Sequence, residues 1–336
     1  MRTTTADTGR IAADARRAVE DAVWAPSVHN TQPWRFRAGG GRITLRADPD
    51  RRLATADPDG REMLISCGAA LYTLRVSLRR LGYEPVVHLL PDPDRPHLLA
   101  DVAMRPGEPA GAAAEHEHEQ IRRRHSHRGA FRADPVPAGV QAALRHAAEK
   151  EGARLVQAVD ADVQGALAAL TDAAEHLQRR TPAYATEIAR WAPAPGTARR
   201  DGVQQDSYPR QTPRTAPHFP ARDFARGQDW GVDAQEDGGA AAAGLVILLV
   251  SGRDTPADWL RAGQALQRVL LRATGHGLSA AYHTQALQVP ELREFIRARF
   301  CGDAYPQQLL RLGVAGGEAL SSVRRPVDDV LTEEPG

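Results

Sequence analysis

The chain has 336 residues, with 43 Lys and Arg against 42 Asp and Glu and a formal net charge of +1 at pH 7. That length can bury a sizeable core, as one large domain or two fused halves, and the balanced charge argues against a general nucleic-acid binder. The two cysteines, Cys67 and Cys301, lie far apart without a C-x-x-C or zinc spacing, so no disulfide framework is expected and a reducing cytoplasm is the default setting.

Residues 1–10 are polar and lack the apolar stretch of a secretory signal. Residues from about Thr8 to Trp24 follow, with an apolar stripe of Ile11, Ala15, Val19 and Val23 that predicts an amphipathic helix. The stretch Ala25-Pro26-Ser27-Val28-His29-Asn30-Thr31-Gln32-Pro33-Trp34 ends it. Pro26 and Pro33 fix φ, give up their N–H groups and bias Ala25 and Gln32 toward extended backbone. Ser27, Asn30 and Gln32 then present donors and acceptors from a stiff loop, which suits an amide- and carbonyl-rich ligand edge. A polar connection that only caps its neighbours is the alternative. Trp34 to Arg37 and Ile43 to Leu45 alternate about Gly39-Gly40-Gly41, a hairpin signal and not a phosphate loop.

A second helix is predicted from roughly Glu62 to Leu81, closed by Gly82. Short strands are expected at Val86 to Leu90 and at 98–104. Cys67-Gly68-Ala69-Ala70-Leu71, closed by Gly82, matches Ala262-Gly263-Gln264-Ala265-Leu266, closed by Gly277, at a constant offset of 195 residues. Self-similarity at a fixed offset points to internal duplication, with chance likeness of two Ala- and Leu-rich helices as the alternative. Glu115-His116-Glu117-His118-Glu119 looks like metal bait, but residues two apart on a helix do not face one ion, so a solvated helix face is expected. Arg122-Arg123-Arg124-His125-Ser126-His127-Arg128 gathers guanidinium groups and a hydroxyl suited to a phosphate, or else forms a solvated basic run.

Two further helices are expected at about Ala138–Gly152 and Ala161–Ile188. Residues 191–232 are rich in Pro, Arg, Asp and Gly without periodicity, the mark of a functional or a disordered segment. The longest apolar run, Ala240 to Val250, is short of the roughly 20 residues a spanning helix needs, and its end from Leu245 reads as a buried strand.

The PSxxNxQPW form of residues 26–34 closely resembles the loop of the FMN-dependent nitroreductase superfamily, and its histidine-containing version resembles the Acg-type branch, where one chain holds two nitroreductase-like halves. Arg124-His125-Ser126-His127-Arg128 resembles the family's RRSxR phosphate motif, Trp259 to Leu271 its WLxAGQALxRxLL helix, and Leu309 to Gly313 with Arg324-Arg325-Pro326 its terminal signature. The resemblance implies an α+β, nitroreductase-like fold with central, mostly antiparallel sheets flanked by helices. It is internally duplicated, so that one chain mimics a nitroreductase dimer. Residues 8–110 and 111–330 would be the halves, with 191–232 a lid. Carried over, Pro26, Ser27, Val28, Asn30 and Gln32 border the FMN, while Arg124, Ser126 and Arg128 hold its phosphate. His125 takes the second Arg position, and Arg324 or Arg325 completes the clamp. Tyr282, Thr284 and Gln285 approach the isoalloxazine, with Tyr282 and Gln285 standing where the family has Pro and Gly.

The first half has the loop but no Arg-x-Ser-x-Arg, and the second has the reverse, so one FMN per chain is expected between them, compatible with a monomer. The implied activity is transfer of hydride from NAD(P)H through flavin N5 to a small-molecule acceptor, without nucleic-acid or membrane partners and without a metal. The alternative is a lid-covered protein that shelters FMN without nicotinamide turnover. No side chain need be a catalytic acid or base, and His29 and His283 are the candidates.

Overall fold

A computed structural model describes residues 5–211, 214–226, 228, 230–233, 241–317, 320 and 322–334. Thr212, Pro213, Gly227 and Asp229 of the expected lid, Ala240 of the apolar run and residues 1–4 lie outside the described residues.

Helix α1 (Thr5–Ala22) leads through the proline loop into strands β1 (Trp34–Gly39) and β2 (Arg42–Ala47). Gly40 and Gly41 turn between them at φ +56° and +71°, which only glycine adopts at little cost in a two-residue hairpin. Helix α2 (Arg61–Arg80) ends at Gly82, whose φ of +83° makes it the left-handed stop. Strands β3 (Tyr83–Leu89) and β4 (Leu98–Pro106) complete this layer, and α3 (Ala112–Arg123) leads out of it. After the two-residue strand β5 (Phe131–Arg132) come α4 (Ala138–Glu149), β6 (Arg154–Gln157), α5 (Ala161–Arg179) and α6 (Pro182–Arg190). Then follow β7 (Ala241–Ala242), β8 (Leu245–Ser251), α7 (Pro256–Gly275), β9 (Ser279–Tyr282), α8 (Pro290–Phe300), β10 (Tyr305–Gly313) and β11 (Leu331–Glu333).

The first sheet runs β11-β1-β2-β4-β3 and the second β6-β8-β10-β9. With β11 set aside, the two strand orders match, β1-β2-β4-β3 against β6-β8-β10-β9, the second half inserting α5, α6 and β7 between β6 and β8 and α8 between β9 and β10, and every pairing within these two runs is antiparallel. Among the described strands, β11 alone pairs in parallel, on β1. The α+β class and the duplicated plan expected from the sequence are therefore both present.

Helices α2 and α7 cross at Gly68 and Gly263. A Cβ on Gly68 would lie 2.2 Å from the Leu260 carbonyl oxygen, and one on Gly263 would lie 2.0 Å from that of Ile65. Both residue pairs are 195 apart, so the contact reads identically from either helix, as about a local two-fold axis. Each sheet packs a core against its helices: Val19, Trp34, Ile43 and Leu74 in the first, Leu144, Val269 and Leu310 in the second. A third core, with Leu167, Leu248 and Ile296, fills the far side of the second sheet.

The helix expected over Ala161–Ile188 is two helices. Pro182 has no N–H to continue the first, and Thr181 before it is extended, at φ −94° and ψ 109°. On α3 the acid–histidine run splits by face. Glu117 accepts from the Tyr72 hydroxyl at 2.6 Å and His118 bonds Asp21 at 2.7 Å, while His116 and Glu119 are exposed. The full solvation expected of that face is thus only half right. No helix among the described residues is long and apolar enough to cross a membrane.

Candidate functional site

The proline loop turns through left-handed backbone at three non-glycine residues, His29 (φ +48°), Asn30 (+53°) and Gln32 (+49°). Such conformations cost on the order of 1–3 kcal/mol each and persist only where surroundings over-determine them. The extended backbone expected at Gln32 is therefore corrected. Its N–H bonds Ser27 Oγ at 2.9 Å, its Nε2 donates to the Arg200 carbonyl at 2.8 Å, and its Oε1 accepts from the Arg325 N–H at 2.8 Å. Asn30 is tied similarly: its Nδ2 donates to the carbonyls of Gly202 and Val323, and its Oδ1 accepts from Arg324. The amide side chains read as ligand donors thus hold the loop to the 191–232 segment and to the C-terminal segment.

A cavity opens between the halves. From the first come Pro26, Ser27, Val28, His29 and Asn30 with Glu62, Ile65 and Ser66 of α2. From the second come Ser126, Arg128, Leu266 and the run Ala281 to Gln285. Ser66 Oγ fixes the loop against α2 by accepting the Val28 N–H at 3.1 Å.

One end of this cavity is cationic. Arg124 and Arg324 both donate to the Trp24 carbonyl, and Arg128 donates to the Ser207 carbonyl at 2.8 Å. Arg124 is 3% exposed, and its Nε and Nη1, Nε of Arg324 and the Tyr282 hydroxyl are buried without a hydrogen-bond partner. Burial lowers the pKa of Arg124 and Arg128 and pushes that of Arg324 down to about 9, and mutual repulsion among the three adds to it for Arg324. Among the described residues no carboxylate pairs with any of them. Three guanidinium groups and a phenol converging with free donors form a site for a phosphate-class anion.

The other end lies under the 191–232 segment. Val203, Tyr208, Phe219, Ala221, Arg222 and Phe224 line the cavity from there. His283, 3% exposed, donates Nδ1–H to the Pro220 carbonyl at 3.2 Å and accepts at Nε2 from Arg311 Nε at 2.8 Å, a pairing that sets its tautomer. Burial and then Arg311 hold its pKa well below the usual imidazole range. His29 is depressed likewise, by burial and then by Arg222 and Arg128, and packs edge-on against Phe224 at 5.3 Å. Both rings are neutral. With both nitrogens engaged, His283 is a structural link rather than a proton carrier. His29 keeps Nε2 unpartnered.

Of the residues expected at the site, Pro26, Ser27, Val28, Asn30, Ser126, Arg128, Tyr282, Thr284, Gln285 and Arg324 line this cavity, and Arg124 stands behind Tyr282. Gln32, His125 and Arg325 are not brought to its wall: Gln32 is fully buried in the loop's own hydrogen bonds, and Arg325 donates to the Asp329 carbonyl. The sequence reading missed Glu62, Ser66, Arg222, Gln308 and Arg311. Arg311 carried a signal, a charge inside the apolar strand Leu309-Leu310-Arg311-Leu312.

A pseudo-symmetric counterpart exists on the other side. Val87, His88 and Leu89 stand 195 residues before Tyr282, His283 and Thr284, and Arg261 stands 195 after Ser66. These four line a shallow groove, together with the ion-paired Arg42 and Asp101.

A scan against protein-family models matches none. Curated relatives do match. The chain is 37% identical over 304 residues to the Mycobacterium tuberculosis protein named Putative NAD(P)H nitroreductase Rv3131, covering 88% of this chain and 83% of that protein. It is 30% identical over 325 residues to the acg protein of the same organism, which carries the same description, at 94% of each chain. Solved structures overlap more loosely. One is the FMN-dependent nitroreductase NfnB of Mycobacterium smegmatis in complex with NADPH, at 19% identity and a TM-score of 0.38, covering 65% of this chain and 97% of that one. Another is a nitroreductase with bound FMN from Bacteroides fragilis, at 12% identity and a TM-score of 0.37, covering 62% of this chain and 94% of that one.

Proposed function

The chain belongs to the nitroreductase superfamily, in its Acg-type branch, and on that premise we propose that it is an oxidoreductase binding one FMN between its two halves. The observation that carries this reading is the converging, uncompensated set of Arg124, Arg128, Arg324 and the Tyr282 hydroxyl. A buried cation without a counter-charge is costly, and a phosphate monoester supplies up to two negative charges and the acceptor oxygens these donors fit. Ser126 adds a hydroxyl at the same end. Bound there, FMN would supply hydride relay between a reduced nicotinamide and a nitro, quinone or enone-like acceptor.

The chain's own residues do the rest. The left-handed loop at Val28–Asn30 and the run from Ala281 to Gln285 border the cavity from opposite halves and orient what enters. Thr284 and Gln285 open a turn of 3-10 helix, so their N–H groups have no partner within it and can point at an acceptor atom. Ile65 and Leu266 give an apolar wall, and Phe219 and Phe224 keep water out from above. The halves are residues 8–110 and 111–330, with 191–232 as the lid.

A second reading, an FMN-sheltering protein without nicotinamide turnover, draws on the lid's attachment. Arg222 donates to Tyr184, to Gln178 at 3.3 Å and to Gln288 at 3.0 Å, while the Asp223 N–H bonds Glu175 at 3.0 Å. An anaerobic NADPH titration of the FMN-loaded protein separates the two: bleaching of the flavin band supports turnover, and a band that only dithionite bleaches supports shelter. The cofactor assignment itself is tested by Arg124→Ala. Its FMN affinity is expected to fall at least tenfold by fluorescence titration, and an unchanged affinity sinks the phosphate assignment.

A further inference from the structure

Building on the FMN reading, we propose that Arg311 forms a second anion site in the same cavity, one that fits the carboxylate of a planar, aromatic acceptor. The charge inventory motivates it. The walls carry Arg128, Arg222, Arg311 and Arg324, with Arg124 behind them, and among the described residues only one lining carboxylate, Glu62. Glu62 is engaged by Gln288, which in turn accepts from Arg222, so that acid and that cation share one network. One phosphate answers the group around Tyr282. It leaves Arg311 unanswered, because Arg311 stands apart from that group on β10, against the lid.

The guanidinium of Arg311 lies between the rings of Phe131 and Phe219, 5.4 and 5.5 Å from their centroids, in a residue only 4% exposed. Nε donates to His283 and Nη1 to the Ala243 carbonyl at 3.1 Å. Both acceptors are neutral. A guanidinium has five N–H bonds, and the remaining three meet no acceptor among the described residues. A carboxylate is the group whose two oxygens match that fork. The neutral His283 imidazole, itself anchored to Pro220, fixes the direction in which the fork points. Tyr208, Phe219 and Phe224 give the cavity the flat aromatic surroundings that suit a planar ligand. The phosphate end holds the cofactor, and the Arg311 end selects the charge of what is reduced.

The test is a pair of near-isosteric probes, benzoate and benzamide, titrated into FMN-loaded protein and followed by the flavin absorption shift and by calorimetry. Benzoate is expected to bind at least tenfold tighter than benzamide. Arg311→Gln is expected to cost benzoate at least tenfold, to leave benzamide and flavin content unchanged, and to be rescued in large part by Arg311→Lys. Equal affinity for the two probes in the wild-type protein overturns the proposal, and that comparison stands even if a variant misfolds. A Gln variant that alters the bound flavin's spectrum but not benzoate affinity also overturns it, in favour of a cofactor-tuning role. If the protein takes up no flavin, the FMN reading fails separately, and calorimetry with benzoate on flavin-free wild type against Arg311→Gln, which share the same Arg124, Arg128 and Arg324 end, still decides the role of Arg311.

Discussion

At the scale of single residues, the site is governed by groups whose charge state burial has decided. His283 and His29 are held neutral, with pKa values well below 6.5. The unfolded chain therefore binds more protons than the folded one below that value, and stability must fall as the pH drops through it. Each such histidine costs up to about 1.4 kcal/mol per pH unit in that window. Asp57 acts with the opposite sign, because burial and then Glu62 raise its carboxyl to about 6, so it favours the fold most below the ordinary carboxylate range and loses that contribution as pH rises through 6. The clean measurement is thus a difference. Urea unfolding of wild type and His283→Gln between pH 5 and 7.5 is expected to give curves that converge as the pH falls below 6.5. Parallel curves would mean that His283 titrates normally. These residues also show what a sequence can and cannot declare. Arg124 and Arg128 could be read from their cluster with Ser126, since gathered guanidinium groups and a hydroxyl point to one ligand class, whereas Arg324, as an alternative to Arg325, came only from the family resemblance. The exclusion of Gln32 was not legible, because it depends on partners at Arg200 and Arg325 that meet it only in the fold.

At the scale of elements, the crossing of α2 and α7 carries the duplication. Each helix offers its glycine to the other's backbone, and an added methyl would sit 2.0 to 2.2 Å from a carbonyl oxygen that no rotamer change can move. Gly263→Ala should destabilise the protein by about 3 kcal/mol or more, at the upper end for overpacking, and Gly68→Ala similarly. Chemical denaturation checks both, and a loss under 1 kcal/mol at either would show that the helices can part. The repeat was readable because close helix contact demands glycine, and glycine is visible in a sequence. The break at Pro182 is equally visible as a proline, although the apolar pattern continues across it from α5 into α6. Strand β6 and helix α8 left weaker signs. The residues of β6 are only partly buried, so alternation is muted, and α8 buries Ile296 but exposes Phe295.

At the scale of the whole molecule, the two similar halves meet at a deep cavity on one side and a shallow groove at the pseudo-symmetric position on the other. The groove has Arg261 where the cavity has Ser66, and Val87 and Leu89 where the cavity has Tyr282 and Thr284. No second cluster of uncompensated arginines faces it among its lining residues. The expected stoichiometry is therefore one flavin per chain, measured by absorbance after reconstitution against protein concentration from amino-acid analysis. A value approaching two would require the groove to bind as well.

The strand β11 joins the second half's outgoing chain to the first half's sheet, and the segment that reaches it carries Ser322 and Arg324 across the cavity. Arg324 meets Asn30 over a separation of 294 residues. Contacts so distant along the chain are entropically costly and slow to close. Folding and cofactor capture are consequently ordered in time. Either layer can gather its local contacts early, but the anion-binding end is complete only once the strap brings Arg324 to Arg124, Arg128 and Tyr282.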